Sequence, residues 1–364
     1  MPPRITMTDV AKRAGVHQTT VSMALRNHPS LPASTRKRLR ALAEQMGYEP
    51  DPVLRALIDY RYRARAPQHT PVIAYVTNWN TRWGWKESSA HSDFYMGATA
   101  RAPELGYRIE HFWLGEPALS HRRMSNLLFA RGINGVIVAS QRYEVDAPLE
   151  FDWPKFGAVK IDFIPHDPAL HAVTNDQRAI IRLAMRKVQA AGYRRIGFVM
   201  DQRWDHGVDN AWSSGFLGEQ QMLPIEERVP LLLFGDLSGS QPAADQSVPR
   251  DLLDDWLNRH RPDAVISAGV FVRDRFLEMG ISVPQDFAYA DILLGDFDGK
   301  TAGVRQNCRR VGELAVEILT RQLQQHTFGL PELPTATLVE GTWFDGESLP
   351  GRVATQECGH LVEI

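Results

Sequence analysis

Only two cysteines, Cys308 and Cys358, occur in 364 residues, far apart and outside any metal-ligand spacing. A disulfide framework and a structural zinc site are therefore not expected, and plain thiols in a reducing compartment are. No apolar run reaches membrane-spanning length, and the opening Met1-Pro2-Pro3-Arg4-Ile5-Thr6 lacks the hydrophobic core of a secretory signal. These absences predict a cytoplasmic protein with no membrane partner. Marks of catalysis are missing too: there is no G-x-x-x-x-G-K-[ST] phosphate loop, no G-x-S-x-G nucleophile elbow and no H-E-x-x-H zinc helix. Asp296-Phe297-Asp298-Gly299 begins like a calcium loop but lacks the later ligands and reads as a polar turn. Neither an enzyme nor a bound cofactor is expected.

Net charge is also small, −2, but it is unevenly placed. The first 65 residues hold twelve Lys or Arg against five acids, so the remainder is acidic. One cationic end is the electrostatic footprint of a phosphate-binding surface. Hydrophobic residues at 43% and charged residues at 23% are ordinary for a soluble protein, and the length suits two or three domains.

The basic end carries a local pattern. Thr6 and Asp9 fit a capping box that starts a helix. Val10, Ala11 and Ala14 form an apolar stripe, Gly15 permits the positive φ that ends the helix, and Val16, Val21, Ala24 and Leu25 repeat the stripe. Gln18, Thr19, Ser22 and Met23 are left outward on the second helix, the kind of side chains that reach base edges in a major groove. A third helix is expected between Leu31 and Tyr48, with Leu39, Leu42, Ala43 and Met46 inward and Gly47 as its stop.

This segment, with Leu31-Pro32-Ala33-Ser34-Thr35-Arg36, Ala43 to Pro50 and Leu57, resembles the lac repressor type (LacI/GalR) of bacterial transcription regulators. The resemblance implies a sequence-specific DNA-binding regulator, a repressor, that grips a palindromic double-stranded operator as a homodimer or higher oligomer. It implies phosphate or base contacts from Thr6, Thr8, His17, Gln18, Thr19, Thr20, Ser22, Met23, Arg26, Thr35 and Arg55, and a minor-groove wedge at Leu57. Met23 stands where the family usually has Arg, His17 and Pro32 where it has Ser caps. The expected organisation is a headpiece over 1–50, a hinge and basic linker over 51–70, a two-lobed effector and dimerisation body over 71–346, and an extension over 347–364. Ordering about six hinge residues costs on the order of 1–2 kcal/mol each. A coupling of about 1–3 kcal/mol from a cleft-bound effector would therefore change DNA affinity roughly 5- to 150-fold.

From Val72 onward short apolar runs alternate with helical stretches, which predicts an α/β body of two Rossmann-like lobes with parallel sheets covered on both faces. The expected limits are 72–170 plus 304–326 for the first lobe and 171–300 plus 335–346 for the second, with one last strand over Leu338 to Trp343. By resemblance the body is like a periplasmic sugar-binding protein, and the effector is a carbohydrate or a related small molecule. Aromatic faces and hydroxyl-bonding groups nominate Trp79, Phe94, Tyr95, Asp162, Asp176, Trp212 and Asp291 for its site. Core packing competes for Phe94 and Tyr95, and loop capping for Asp162 and Asp176. Trp212 and Leu293 occupy places where the family commonly has Arg and Asp, so the usual hydroxyl clamp is missing. A DNA binder without effector response and a sugar-active enzyme fused to a headpiece are the competing readings.

Overall fold

The computed structural model describes residues 5–25, 28, 30–48, 70–117, 119–141, 148–235, 248–295 and 297–352. The expected contacts Arg26, Arg55 and Leu57, the hinge and the end of the extension lie outside the described residues.

The headpiece consists of Met7–Ala14 (α1), Gln18–Leu25 (α2) and Ala33–Gln45 (α3). Its first cap is reciprocal: Asp9 N donates to Thr6 Oγ1 over 3.3 Å, and Thr6 N donates to Asp9 Oδ2 over 2.9 Å. The Thr6 hydroxyl, donating to the same carboxylate, holds the Asp9 carboxyl below its ordinary range. Gly15 turns the chain at φ 67°. Val10, Ala11, Val21 and Ala43 then close a small core, with Val16, Leu25 and Met46 packed around it.

In the body the chain runs Val72–Asn78 (β1), Ser89–Glu104 (α4), Arg108–Trp113 (β2), His121–Ala130 (α5), Gly135–Gln141 (β3), Gly157–Ile161 (β4) and His171–Asn175 (β5). It continues through Gln177–Ala190 (α6), Ile196–Asp201 (β6), Gln202–Gly207 (α7), Ala211–Gln221 (α8), Leu232–Phe234 (β7), Arg250–His260 (α9), Ala264–Ser267 (β8), Val270–Glu278 (α10) and Ala288–Asp291 (β9). Ala302–Arg305 (β10), Cys308–Gln325 (α11), Ala336–Val339 (β11) and Thr342–Phe344 (β12) complete it. Two six-stranded sheets result, ordered β11-β5-β4-β3-β1-β2 and β12-β10-β9-β8-β6-β7. All pairings are parallel except β10 with β12. Apolar clusters cover both faces of each sheet, as parallel sheets require.

The strand assignments correct the expected lobe limits. β5, placed at the head of the second lobe by the sequence pattern, pairs with β4 and belongs to the first sheet. The single last strand is really two, β11 in the first sheet and β12 in the second. Gly341 makes the step between them possible, since a Cβ there would stand 2.4 Å from Val304 Cγ1. The chain thus crosses between lobes after β5, after β10 and between β11 and β12. Beside the first sheet α4 and α11 pack backbone to backbone. Cβ atoms at Gly97 and Gly312 would sit 1.9 Å from Arg309 O and 2.0 Å from Phe94 O.

Candidate DNA-binding face and ligand cleft

On the headpiece, His17, Gln18 and Thr19 are exposed at the start of α2, while Thr20, Ser22 and Met23 are half-buried beside them. The residue that replaces the usual serine cap still caps: Thr19 N donates to His17 Nδ1 over 3.4 Å, and the same ring nitrogen lies 2.9 Å from Thr19 Oγ1. Thr19 is thereby tied to the cap, and Gln18 is exposed beside it. Thr6 and Thr8 are exposed at the start of α1, and Thr35 is half-buried at the start of α3. Arg40, counted above with the phosphate-binding cations, donates from Nε to Ala24 O over 3.2 Å and closes the end of α2 instead. Lys12, Arg13, Lys37 and Arg38 remain exposed.

In the body, parallel sheets bind ligands beyond the carboxyl ends of their strands, at the point where strand order reverses. That point is β1, flanked by β2 and β3, in the first sheet, and β6, flanked by β7 and β8, in the second. At the first, β1, β3, β4 and β5 bring Tyr75, Ser140, Asp162, Thr174 and Asn175 to one edge. Ser140 and Asp162 hold left-handed φ values of 51° and 66°, a strained geometry that non-glycine residues keep where side chains must be aimed. Asp162 accepts from Thr174 Oγ1 over 2.7 Å, and burial pushes its carboxyl up to about 6. Ser140 Oγ lies beside the Tyr75 hydroxyl and opposes the rise that burial gives it, although neither atom nor the buried Asn175 Oδ1 completes a hydrogen bond of ordinary geometry. Asn175 Nδ2 donates to Cys308 Sγ over 3.4 Å, and burial pushes that thiol up to about 12.

The aromatic residues after β1 close over this edge. Trp85 is fully buried, and Tyr95 is half-buried with its ring centroid 5.1 Å from those of Tyr75 and Trp85. Trp79 lies 4.9 Å from His91, and Trp83 4.4 Å from His111. Burial pushes both histidines down to about 4, so both are neutral at pH 7. Phe94 is 2% exposed and part of the first-lobe core, so it presents no face to a ligand.

At the second-lobe edge the polar groups are already engaged. Asp291 Oδ1 accepts from Gly269 N over 2.9 Å and Leu293 N over 2.7 Å, and burial pushes the carboxyl up. Asp201 is paired with Arg203, both buried. Asp176 accepts from Ala179 N over 2.9 Å as the cap of α6. Trp212, 4% exposed, donates from Nε1 to Gln177 Oε1 over 2.7 Å, and Gln177 forms a reciprocal amide pair with Gln306. These two amides stand next to the crossings after β5 and β10, so Trp212 braces the joint between lobes. Asp176, Trp212 and Asp291, nominated as ligand contacts, thus support the fold in this conformation.

The groups sequence reasoning missed line a cavity of about 260 Å³ between the lobes. Ser89, Ser92 and Asp93 at the start of α4 face Leu293, Gly295, Arg305 and Gln306 across it. Asp93 Oδ1 accepts from Arg309 Nε over 3.0 Å, placing a carboxylate beside a guanidinium at the mouth. Asp93 precedes the nominated Phe94, one residue around the helix, and the close crossing at Gly97 and Gly312 brings Arg309 to it. Among the described residues no helix is long and apolar enough to cross a membrane, and no group of His, Cys, Asp or Glu is placed to hold a metal ion.

Comparison with known proteins agrees with this construction. Residues 6–51 match the family of bacterial regulatory proteins of lacI type, and residues 185–342 match the periplasmic binding protein-like domain. The transcriptional regulator IpsA of Corynebacterium glutamicum is 28% identical over 200 residues, which is 53% of this chain and about half, 52%, of that regulator. The transcriptional repressor PurR of Serratia proteamaculans is 23% identical over 333 residues, 86% of this chain and 89% of the repressor. In fold the chain is similar to the transcriptional regulator CelR in complex with cellobiose, with TM-score 0.56, 20% identity and coverage of 95% and 100% of the two chains. It is also similar to the lac repressor dimer bound to operator and an anti-inducer, with TM-score 0.52, 18% identity and coverage of 96% and 100%. Residues 6–51 are thus a DNA-binding domain of the lacI type of bacterial regulatory proteins, and they stand ahead of a periplasmic-binding-protein-like domain.

Proposed function

We propose that this regulator is a cytoplasmic repressor that binds a palindromic duplex as a homodimer, and that a small polyhydroxylated molecule between its lobes adjusts that grip. The observation that carries the first half is the capped recognition helix, with His17, Gln18 and Thr19 exposed at its start. In this reading the Gln18 amide pairs with an adenine edge, Thr19 and Thr20 meet a thymine methyl or a phosphate, and Met23 gives an apolar contact where the family usually reads a base with Arg. Thr6, Thr8 and Thr35 sit at phosphates, joined by Arg26 and Arg55, while Leu57 enters the minor groove. The proposed effector contacts are Trp79, Tyr95 and Asp162 from the first lobe and the Asp93–Arg309 pair at the cleft mouth, which together supply the stacking faces and hydroxyl partners that a sugar needs.

A selection of duplexes from fragmented genomic DNA with the full-length chain tests the DNA reading. Inverted repeats are expected among the retained fragments. Gln18→Ala should weaken binding to them by about 1–3 kcal/mol, with discrimination lost at one base position of each half-site. Retention of fragments without a shared sequence would overturn it. A second reading, a regulator indifferent to metabolites, draws on the Trp212 brace between the lobes, and it predicts the same repeats with no metabolite that shifts affinity.

A further inference from the structure

The headpiece meets the body at a pair of histidines. His28, just beyond the end of α2, and His326, the residue that closes the carboxyl end of α11, stand edge to face with ring centroids 5.0 Å apart and planes at 67°. Both rings are half-buried and fixed from behind. On the headpiece, His28 N donates to Met23 O of the recognition helix over 2.9 Å, and Ser30 N donates to the His28 ring Nδ1 over 3.3 Å. On the body, His326 turns the chain at a left-handed φ of 52°, with the Phe328 ring edge to face at 6.0 Å. The helix that carries it is pinned to the first sheet, since Gln322 accepts from Ala158 N over 2.9 Å and donates to Ala158 O over 3.2 Å. α11 begins at the interlobe cavity, which Cys308 and Arg309 line, and ends at this contact. The DNA-facing side stays open while the rings meet: Thr6, Thr8, His17, Gln18 and Thr19 are all exposed. The contact therefore holds the headpiece without hiding the surface that would read a duplex.

We propose that His326 is a positioning residue for DNA binding: its ring seats the headpiece on the first lobe through His28, and so sets the separation and angle of the two headpieces in a dimer. A headpiece oriented before the duplex arrives pays less of the ordering cost of binding. This rests on the palindromic duplex and the homodimer proposed above, and adds the contact that selects the spacing of the half-sites. One base pair inserted between them shifts one half-site by about 3.4 Å and turns it by about 35°. Seated headpieces accept one spacing, and released ones accept several.

Fluorescence anisotropy with the full-length chain tests it on three duplexes: the selected inverted repeat, the same repeat with one base pair inserted at its centre, and a single half-site. His326→Asn removes the ring and keeps a side chain that tolerates the left-handed φ, whereas His326→Phe keeps a ring. In His326→Asn the affinity for the repeat should fall about three- to tenfold, the size of one aromatic contact. The penalty for the inserted base pair should shrink by a similar factor, and binding to the single half-site should stay within about twofold of the parent. His326→Phe should match the parent on all three duplexes. Should His326→Asn fail to fold, His28→Ala removes the other ring and should give the same pattern. An unchanged spacing penalty, an equal loss on repeat and half-site, or a His326→Phe that behaves like His326→Asn would overturn the positioning role and leave the DNA reading standing. A parent chain that prefers no repeat over random duplex would overturn both.

Discussion

The two lobes share a strand order, with the switch point at β1 in one and β6 in the other, yet they distribute polar groups in opposite ways. Two tyrosines show it. Tyr75 in β1 and Tyr289 in β9 are both 0% exposed and each has a serine beside its hydroxyl, but Tyr289 meets Ser267 at 2.6 Å while Tyr75 and Ser140 complete no hydrogen bond of ordinary geometry. Because an unmade buried hydrogen bond is costly, the first lobe is held below its attainable stability at the same edge where a ligand could supply partners. At the matching edge of the second lobe Asp201, Asp291 and Ser267 are paired. One fold thus gives an edge with polar groups to spare, the receptive half of the proposed site, and an edge whose polar groups are paired, the rigid half.

The sharpest way to break this comparison lies in the rigid half. Trp212→Ala removes a buried indole and the donor that braces Gln177, and should destabilise the body by about 3–5 kcal/mol in urea unfolding. A loss under about 1 kcal/mol would mean the brace is ornamental. In the receptive half, Asp162 titrates near 6 in the folded chain against an ordinary 3.8, so folding favours its proton. Its stabilising contribution is present below about pH 4 and is lost as pH rises through 6. Asp162→Asn should therefore match the parent near pH 4 and exceed it by about 2–3 kcal/mol at pH 7. His91 and His111, held down to about 4 by burial, bend the parent's own curve the other way, so the effect is read as the difference between variant and parent. The smallest effect compares the tyrosines directly. Tyr289→Phe should cost about 1 kcal/mol, whereas Tyr75→Phe should be neutral or stabilising by up to about 1 kcal/mol; equal losses would erase the contrast between the lobes.

How much of this could be read from the chain depends on how local each cause is. The headpiece was legible nearly to the residue because caps, glycine stops and apolar stripes act within one or two turns; even His17 kept the capping position in which it replaces the usual serine. The alternation of strands and helices gave the two-lobed body for the same reason. β5 and β10 were not legible as elements that finish a sheet in one lobe and lead into the other, since five-residue His171–Asn175 and four-residue Ala302–Arg305 carry no pattern that says which sheet they join. The cleft was the least legible part. Asp93 and Arg309 lie 216 positions apart and meet only through the glycine crossing of α4 and α11. Trp212 and Asp291 looked like ligand contacts because they sit at suitable places along the chain. Their partners Gln177, Gly269 and Leu293, which turn them inward, are set by tertiary packing alone.

The central claim, a basic headpiece that reads DNA under the control of the cleft behind it, is tested most directly by competition binding. The full-length chain is titrated on a labelled duplex carrying the selected inverted repeat against unlabelled random duplex at moderate salt, with and without a cleft ligand. A preference of at least about 10³-fold for the repeat is expected, with a shift of roughly 5- to 150-fold when the cleft is filled. Equal affinity for repeat and random duplex, whatever is added, would contradict it.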